Sequence, residues 1–232
     1  MKTIGLLGGM SWESTALYYR IINEQVKDQL GGLHSARIAM VSVDFHDIEV
    51  LQKQGKWDEA AELLATSAQQ VEKAGADFLL ICTNTMHKVA PQIQAALSIP
   101  LIHLADATAQ RIVAQGIKTV GLLGTNFTME QDFYKGRLTD QHGLNVIVPS
   151  EPDRQIIHRI IYEELCLGDI KDSSRQQYLS IMNKMAASGA EAIIEGCTEI
   201  TLLVQQQHTD ILLFDTTAIH AEAAVTLALS QG

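Results

Sequence analysis

The feature that most limits what this chain can fold into is a repeat inside it. Gly5-Leu6-Leu7-Gly8 recurs as Gly121-Leu122-Leu123-Gly124, 116 positions later. Ala74-Gly75-Ala76 returns as Ser188-Gly189-Ala190 at an offset of 114, and Cys82-Thr83 as Cys197-Thr198 at 115. The stretch Ile99–Asp106 is echoed by Ile211–Asp215 at an offset near 109. Recurrent strand–turn–helix grammar without duplication is the plain alternative, and it supplies one such match in a leucine-rich chain. Four matches in the same order argue for two similar halves of about 115 residues.

Within each half, short apolar runs alternate with longer amphipathic ones. The strand candidates are Thr3–Leu7, Ile38–Val43, Phe78–Cys82, Leu101–His103, Thr119–Leu123, Asn145–Val148, Ala192–Glu195 and Ile211–Phe214. They are too short and too uniformly apolar for half-exposed strands, as expected of a parallel sheet covered on both faces. Helical patterns lie between them, at Ser14–Leu30, Trp57–Ala74, Arg154–Leu165, Ser173–Ala187 and Thr217–Leu229. The alternation predicts an α/β fold built from right-handed crossovers.

Charge narrows the partners. The 232 residues carry 17 basic and 27 acidic side chains, a formal charge of −10 that repels phosphate backbones and anionic lipid. No nucleic acid and no membrane is expected as a partner, and no apolar run approaches the ~18 residues of a span. The opening Met1–Gly9 is too short and glycine-rich for a signal peptide, so the expected location is cytoplasmic. Three cysteines (Cys82, Cys166, Cys197), with no CxxC pair, indicate neither a disulfide framework nor a zinc ribbon.

In open parallel sheets, ligands bind outside the carboxyl ends of the strands. Phe78–Ile81 runs into Cys82 and Ile193–Gly196 into Cys197, each followed by hydroxyl or amide residues and a helix start. A thiol there is expected to feel the helix dipole and to ionise near neutral pH. Two thiols on opposite walls of one cleft suit removal of a proton from one face of a carbon and its return to the other. A cysteine ending a strand is also commonly a small core hydrophobe. The duplicated Cys-Thr context speaks against that for the pair. Metal binding is disfavoured because His87 and His103 lack ligand-like spacing with the cysteines. A Cys–His hydrolase, Cys82 nucleophile and His87 base, leaves Cys197 unexplained.

Leu79–Thr85 (LLICTNT) and Ile193–Ile200 (IIEGCTEI) resemble the two signatures of the aspartate/glutamate racemase family, and most resemble its enterobacterial aspartate/glutamate-specific type. Gly8–Thr15 (GGMSWEST) and Thr125–Phe133 (TNFTMEQDF) are similar to the loops after the first strand of each half in its aspartate branch. The resemblance spans essentially the whole chain. It implies two pseudo-symmetric α/β domains, each a mostly parallel four-stranded sheet flanked by helices, 1–97 plus 208–232 and 98–207. It further implies that Cys82 and Cys197 are the acid and base of a cofactor-independent amino-acid racemase, with no metal, a small amino-acid substrate and a possible homodimer.

Met10, Ser11 and Glu13 follow the first strand, where backbone N–H groups suit the substrate carboxylate; the glycines there also suit a plain tight turn. The loop lacks dinucleotide and Walker spacing. Thr83, Asn84, Thr85, Thr125, Thr128 and Thr198 are candidate hydrogen-bonders to substrate or, equally, helix caps. Glu199 is placed to steer the proton of Cys197, to bind an ammonium, or only to complement a helix dipole. Where aspartate-specific relatives of this type carry an Arg and a Lys to grip the side-chain carboxylate, the register here gives Gln52 and Cys166. Neither is cationic, although Lys53 adjoins, which opens the reading to neutral polar amino acids such as homoserine. Cys166, Trp12 and Trp57 read first as packing. The rival readings are a hydantoin racemase, a maleate isomerase, an arylmalonate decarboxylase, and a two-lobed small-molecule binding protein without turnover.

Overall fold

The glycine–leucine runs that open each half are central strands of two separate parallel sheets. A computed structural model describes residues 1–230. Strand β1 (Ile4–Gly8) lies between β2 (Ile38–Ser42) and β3 (Phe78–Ile81). Every residue of β1 and β3 is buried, which explains their unbroken apolar character, whereas the outer β2 alternates. In the other sheet, β4 (Thr119–Gly124) lies between β5 (Asn145–Ile147) and β6 (Ala192–Gly196), and β7 (Leu212–Asp215) continues outward from β6.

The two sheets share one strand order, with a difference at the fourth position. The Leu101–His103 segment, expected to be a strand, contributes a single bridge between Leu79 and Leu101. Leu79 N–H donates to Pro100 O and Ile102 N–H to Leu79 O, both at 2.9 Å. Pro100 has no N–H to extend the ladder backward, and a helix begins at Leu104.

The chain divides into two units, Met1–Leu104 with the segment from His220 onward, and Ala105–Ile219. These limits differ from the sequence-based ones (97/98 and 207/208). The physical reasons are the Leu101 bridge, which keeps residues past 97 with the first sheet, and the pairing of β7 with β6, which keeps Leu212–Asp215 with the second.

Helices follow their patterns closely. Trp12–Leu30 is capped by Ser11, whose hydroxyl accepts from Ser14 N–H, and Gly31 N–H closes its end on Lys27 O. Trp57–Lys73 buries the stripe Ala60, Ala61, Leu64, Ser67, Ala68 and Val71. Truncating Leu64, fully buried in that stripe, removes on the order of 2–5 kcal/mol. Phe45–Lys53 is a further helix, capped by Asp44, that the sequence reading did not set apart from the loop. In the last helix, Thr216–Leu229, the Asp215 carboxylate accepts from Thr217 and Ala218 N–H. Its later residues Ala221, Ala224, Val225 and Ala228 join Ile4, Leu6, Phe78 and Leu80 in one apolar cluster. Among the described residues no helix is long and apolar enough to cross a membrane.

Candidate active site

In the first unit, the residues at the carboxyl ends of β1 and β3 are tied together by hydrogen bonds. Cys82 N–H donates to Leu7 O at 2.9 Å, continuing the β1–β3 ladder by one residue. Ser14 Oγ donates to Cys82 O at 2.9 Å, and Gly9 N–H donates to Thr15 Oγ1 at 2.8 Å. Gly9 has φ +93°, and a Cβ there would run into the backbone of Val43, so no other residue fits this turn. Met10 is buried with Leu7, Ile48 and Ile81, and Ser11 caps the helix. After Cys82 the chain turns through Thr83 and Asn84 into a short 3₁₀ helix, Thr85–Val89. Asn84 and Thr85 are buried and Thr83 is half-buried. Gln52, on the helix Phe45–Lys53, is buried and its amide donates to Met86 Sδ at 2.9 Å. Met10, Ser11, Cys82, Thr83, Asn84 and Thr85 thus all belong to this one sheet end and its flanking turns, and Gln52 reaches that region from its helix through Met86.

The second unit builds the same arrangement from different side chains. Gly124 and Gly196 are register partners at the ends of β4 and β6. A Cβ on Gly196 would meet Leu123 O at 2.7 Å, and one on Gly124 would meet Gly196 O at 2.9 Å. Thr125 caps the helix Asn126–Glu130 by accepting from Thr128 N–H, and Thr128 fills the space beside both glycines. Cys197 follows β6 as Cys82 follows β3. It is half-buried, and its Sγ donates to Glu199 Oε2 at 2.9 Å. Thr198 is buried, its hydroxyl accepting from Thr217 Oγ1 at 3.4 Å and its carbonyl from Thr201 Oγ1 at 2.8 Å.

Burial overturns the expectation that the thiols ionise near neutral pH. It pushes the Cys82 thiol far up, and Cys197 is raised well above the ordinary thiol range, first by burial and then by the adjoining Glu199 charge and Cys166. The helix-dipole argument fails because each cysteine precedes a short element, a five-residue 3₁₀ turn at Thr85 and the four-residue Ile200–Leu203 helix. Cys166 lies in a 3₁₀ turn, Leu165–Leu167, and packs on the same apolar cluster as Cys197. Trp12 is exposed, and Trp57 packs on the core with the Lys88 ammonium 3.9 Å over its ring.

Two groups escape the sequence reading, and a third, His87, enters it only as a possible base or metal ligand. Ser14 holds the Cys82 carbonyl, a role signalled only by its place in the first turn after Ser11. Glu195, in β6, is 3 % exposed, and burial with the nearby Asp215 charge pushes its carboxyl up to about 8. His87 spends both ring nitrogens on backbone, Nδ1 on Thr83 O at 2.8 Å and Nε2 on Leu104 N–H at 3.2 Å. That removes it as the base of a Cys82 hydrolase. Among the described residues no three His, Cys, Asp or Glu side chains group so as to hold a metal ion.

The family model described as Asp/Glu/Hydantoin racemase matches residues 7–224. A crystal structure from Yersinia pestis, assigned as an Asp/Glu racemase, is 58% identical, covers 99% of this chain and 100% of its own, and superposes with a TM-score of 0.94. An aspartate racemase homologue from Pyrococcus horikoshii is 32% identical over 99% of this chain and 100% of that one, at a TM-score of 0.87. A broad specificity amino-acid racemase from Bacillus subtilis is 26% identical over 177 residues, 75% of this chain and 74% of the relative.

Proposed function

The chain belongs to the Asp/Glu/Hydantoin racemase family of isomerases, and from that premise we propose that it interconverts the L and D forms of an amino acid by two-base proton transfer between Cys82 and Cys197, with no cofactor. The observation that carries the reading is the equivalence of the two thiols. Cys82 immediately follows β3, the neighbour of β1, and Cys197 immediately follows β6, the neighbour of β4, so each half carries a sulfur directly after the corresponding strand of its own sheet. Packing alone gives no reason for that coincidence.

The chemistry sets demanding terms. An amino-acid α-proton is a very weak acid, and a strong base is needed to remove it. A thiol whose ionisation burial has made difficult becomes, once ionised, a correspondingly stronger base. The substrate ammonium supplies a positive charge that favours the thiolate when it binds. Hydrogen-bond donors around Thr83, Asn84 and Thr85 in the first unit, and Thr125, Thr128 and Thr198 in the second, are the groups suited to serve the carboxylate and the charge that develops at Cα. Glu199 already accepts the Cys197 proton at 2.9 Å, which suits it to steer that proton.

Aspartate and glutamate are the default substrates. A second reading, a racemase of neutral polar amino acids such as homoserine, is favoured by one observation. The Gln52 amide is spent on Met86 Sδ and residue 166 is a thiol, so neither position offers a cation to a second carboxylate. The broad specificity of the Bacillus relative agrees with that reading.

The experiment is incubation with L-aspartate, L-glutamate and L-homoserine in deuterated water, followed by chiral analysis. The expected result is loss of enantiomeric purity with deuterium at Cα. Cys82→Ala and Cys197→Ala should each lower the rate about 10²- to 10⁴-fold. Either variant turning over near the wild-type rate defeats the two-base assignment, and binding without exchange defeats the enzyme reading in favour of a binding protein.

A further inference from the structure

The loop that follows Cys82 rests on a set of buried histidines that the proton-transfer chemistry does not use. His87, His103 and His220 are all buried, with ring centroids 4.6 Å apart for His87 and His103 and 5.9 Å for His87 and His220. Hydrogen bonding fixes the proton on two of them. A carbonyl only accepts, so His87 carries its hydrogen on Nδ1, donating to Thr83 O, and its Nε2 lone pair accepts from Leu104 N–H. By the same logic His220 donates from Nε2 to Ile102 O at 2.8 Å and accepts at Nδ1 from the Tyr18 hydroxyl at 2.8 Å. Both rings are therefore neutral. Burial, with His87 alongside, pushes His220 down to about 3, in agreement with that state.

The consequence lies in the backbone of residues 82–84. Cys82 N–H is held by Leu7 O, Cys82 O by Ser14 Oγ, and Thr83 O by His87 Nδ1. The first two bonds fix the peptide planes on either side of Cys82, and the third fixes the Thr83–Asn84 plane. We propose that His87, as a neutral Nδ1–H tautomer, is a positioning residue for racemisation, holding the Thr83 carbonyl and thereby the orientation of the Cys82–Asn84 turn. The inference rests on Cys82 acting as one of the two bases. It assigns His87 neither a proton in the reaction nor a metal.

The test separates the two bonds of one ring. An asparagine amide N–H falls near the Nδ1 position, and a glutamine carbonyl falls near Nε2. His87→Asn therefore keeps the Thr83 bond and loses the Leu104 bond, and His87→Gln does the reverse. Each loses one buried backbone bond, so a merely structural role makes both fall together in melting temperature and in kcat. The proposal instead expects kcat of His87→Gln to drop roughly tenfold to a hundredfold with KM within about twofold, as a small misplacement of a reacting group does. His87→Asn should stay within about threefold of wild type on that reasoning. Equal losses, or a His87→Gln enzyme at wild-type kcat, overturn it.

Cys82→Ala is measured alongside. An active Cys82→Ala sinks the two-base reading itself, whereas an inactive Cys82→Ala beside an unimpaired His87→Gln sinks only the role of His87. Should His87→Gln fail to fold, nitrogen-15 NMR of histidine-labelled wild-type protein decides. The Nδ1–H tautomer at residue 87, retained at pH 7, upholds the proposal, and an Nε2–H ring or an imidazolium there refutes it.

Discussion

Replacing Glu195 by glutamine should make the protein more stable at alkaline pH while changing little at acidic pH. Glu195 is 3 % exposed, and its Oε1 is buried with no hydrogen-bond partner among the described residues. Burial, with the neighbouring Asp215 charge, pushes its carboxyl from 4.5 up to about 8. The folded chain therefore holds a proton here that the unfolded chain releases above about 4.5. Stability linked to this group is complete below the unfolded value, drains away as pH rises, and is fully lost above the folded value. Between pH 5 and pH 9, a shift from 4.5 to about 8 integrates to a loss of about 4 kcal/mol. Glutamine has the shape of the protonated carboxyl and no proton to surrender, so its stability lacks this slope. Urea unfolding followed by circular dichroism at pH 5, 7 and 9 reads the difference directly. Wild type and Glu195→Gln should diverge by about 4 kcal/mol across that range. Curves that stay parallel to within about 1 kcal/mol would refute the buried neutral carboxyl.

Other outcomes follow from the same geometry. Glu199→Gln removes the charge beside Cys197, so alkylation of that thiol by iodoacetamide should begin at lower pH than in wild type; burial, the larger cause, keeps it above a free thiol. An unchanged or upward-shifted alkylation profile counts against the Cys197–Glu199 pair. Ser14→Ala deletes the hydroxyl on Cys82 O and should cost about 1 kcal/mol in chemical denaturation, more if the carbonyl stays dry. Gly124→Ala should cost more, because the added methyl meets the Gly196 carbonyl, and a melt at wild-type temperature would contradict that contact. Racemisation should survive exhaustive dialysis against a chelator and show no pyridoxal absorbance, while loss on chelation would mean a metal takes part.

Much of this was legible because the repeat and the hydrophobic runs report packing directly. A strand such as Ala192–Gly196 that is buried along its length is mostly apolar, and two halves with the same strand order carry their motifs directly after corresponding strands. Three kinds of feature were not. Pro100 reduced the fourth strand of the first sheet to a bridge, a backbone effect that an apolar run such as Leu101–His103 conceals. The thiols looked ionisable because each precedes a helical turn, but the turns are short and the surroundings dry, so burial outweighs the dipole. The histidines at 87, 103 and 220 meet only in space, and no spacing along the chain announces them. Glu195 was hidden among isoleucines because a charged letter in an apolar run reads as a strand end, not as a neutral acid within it.

The first sheet borrows its last covering from far downstream. Ala221, Ala224, Val225 and Ala228 close the cluster around Ile4 and Phe78, and Lys2 N–H is met by Ala228 O at 2.9 Å. During synthesis, then, the face of the earliest strand that packs on Tyr18, Ile22 and Val26 stays only partly covered until the residues from Ala221 onward have been made. The middle segment, continuous in sequence, has no such delay and can mature first. A released chain ending just before residue 220 would carry a complete second unit and an incomplete first one, and a protease that trims this helix would injure the opposite end of the polypeptide.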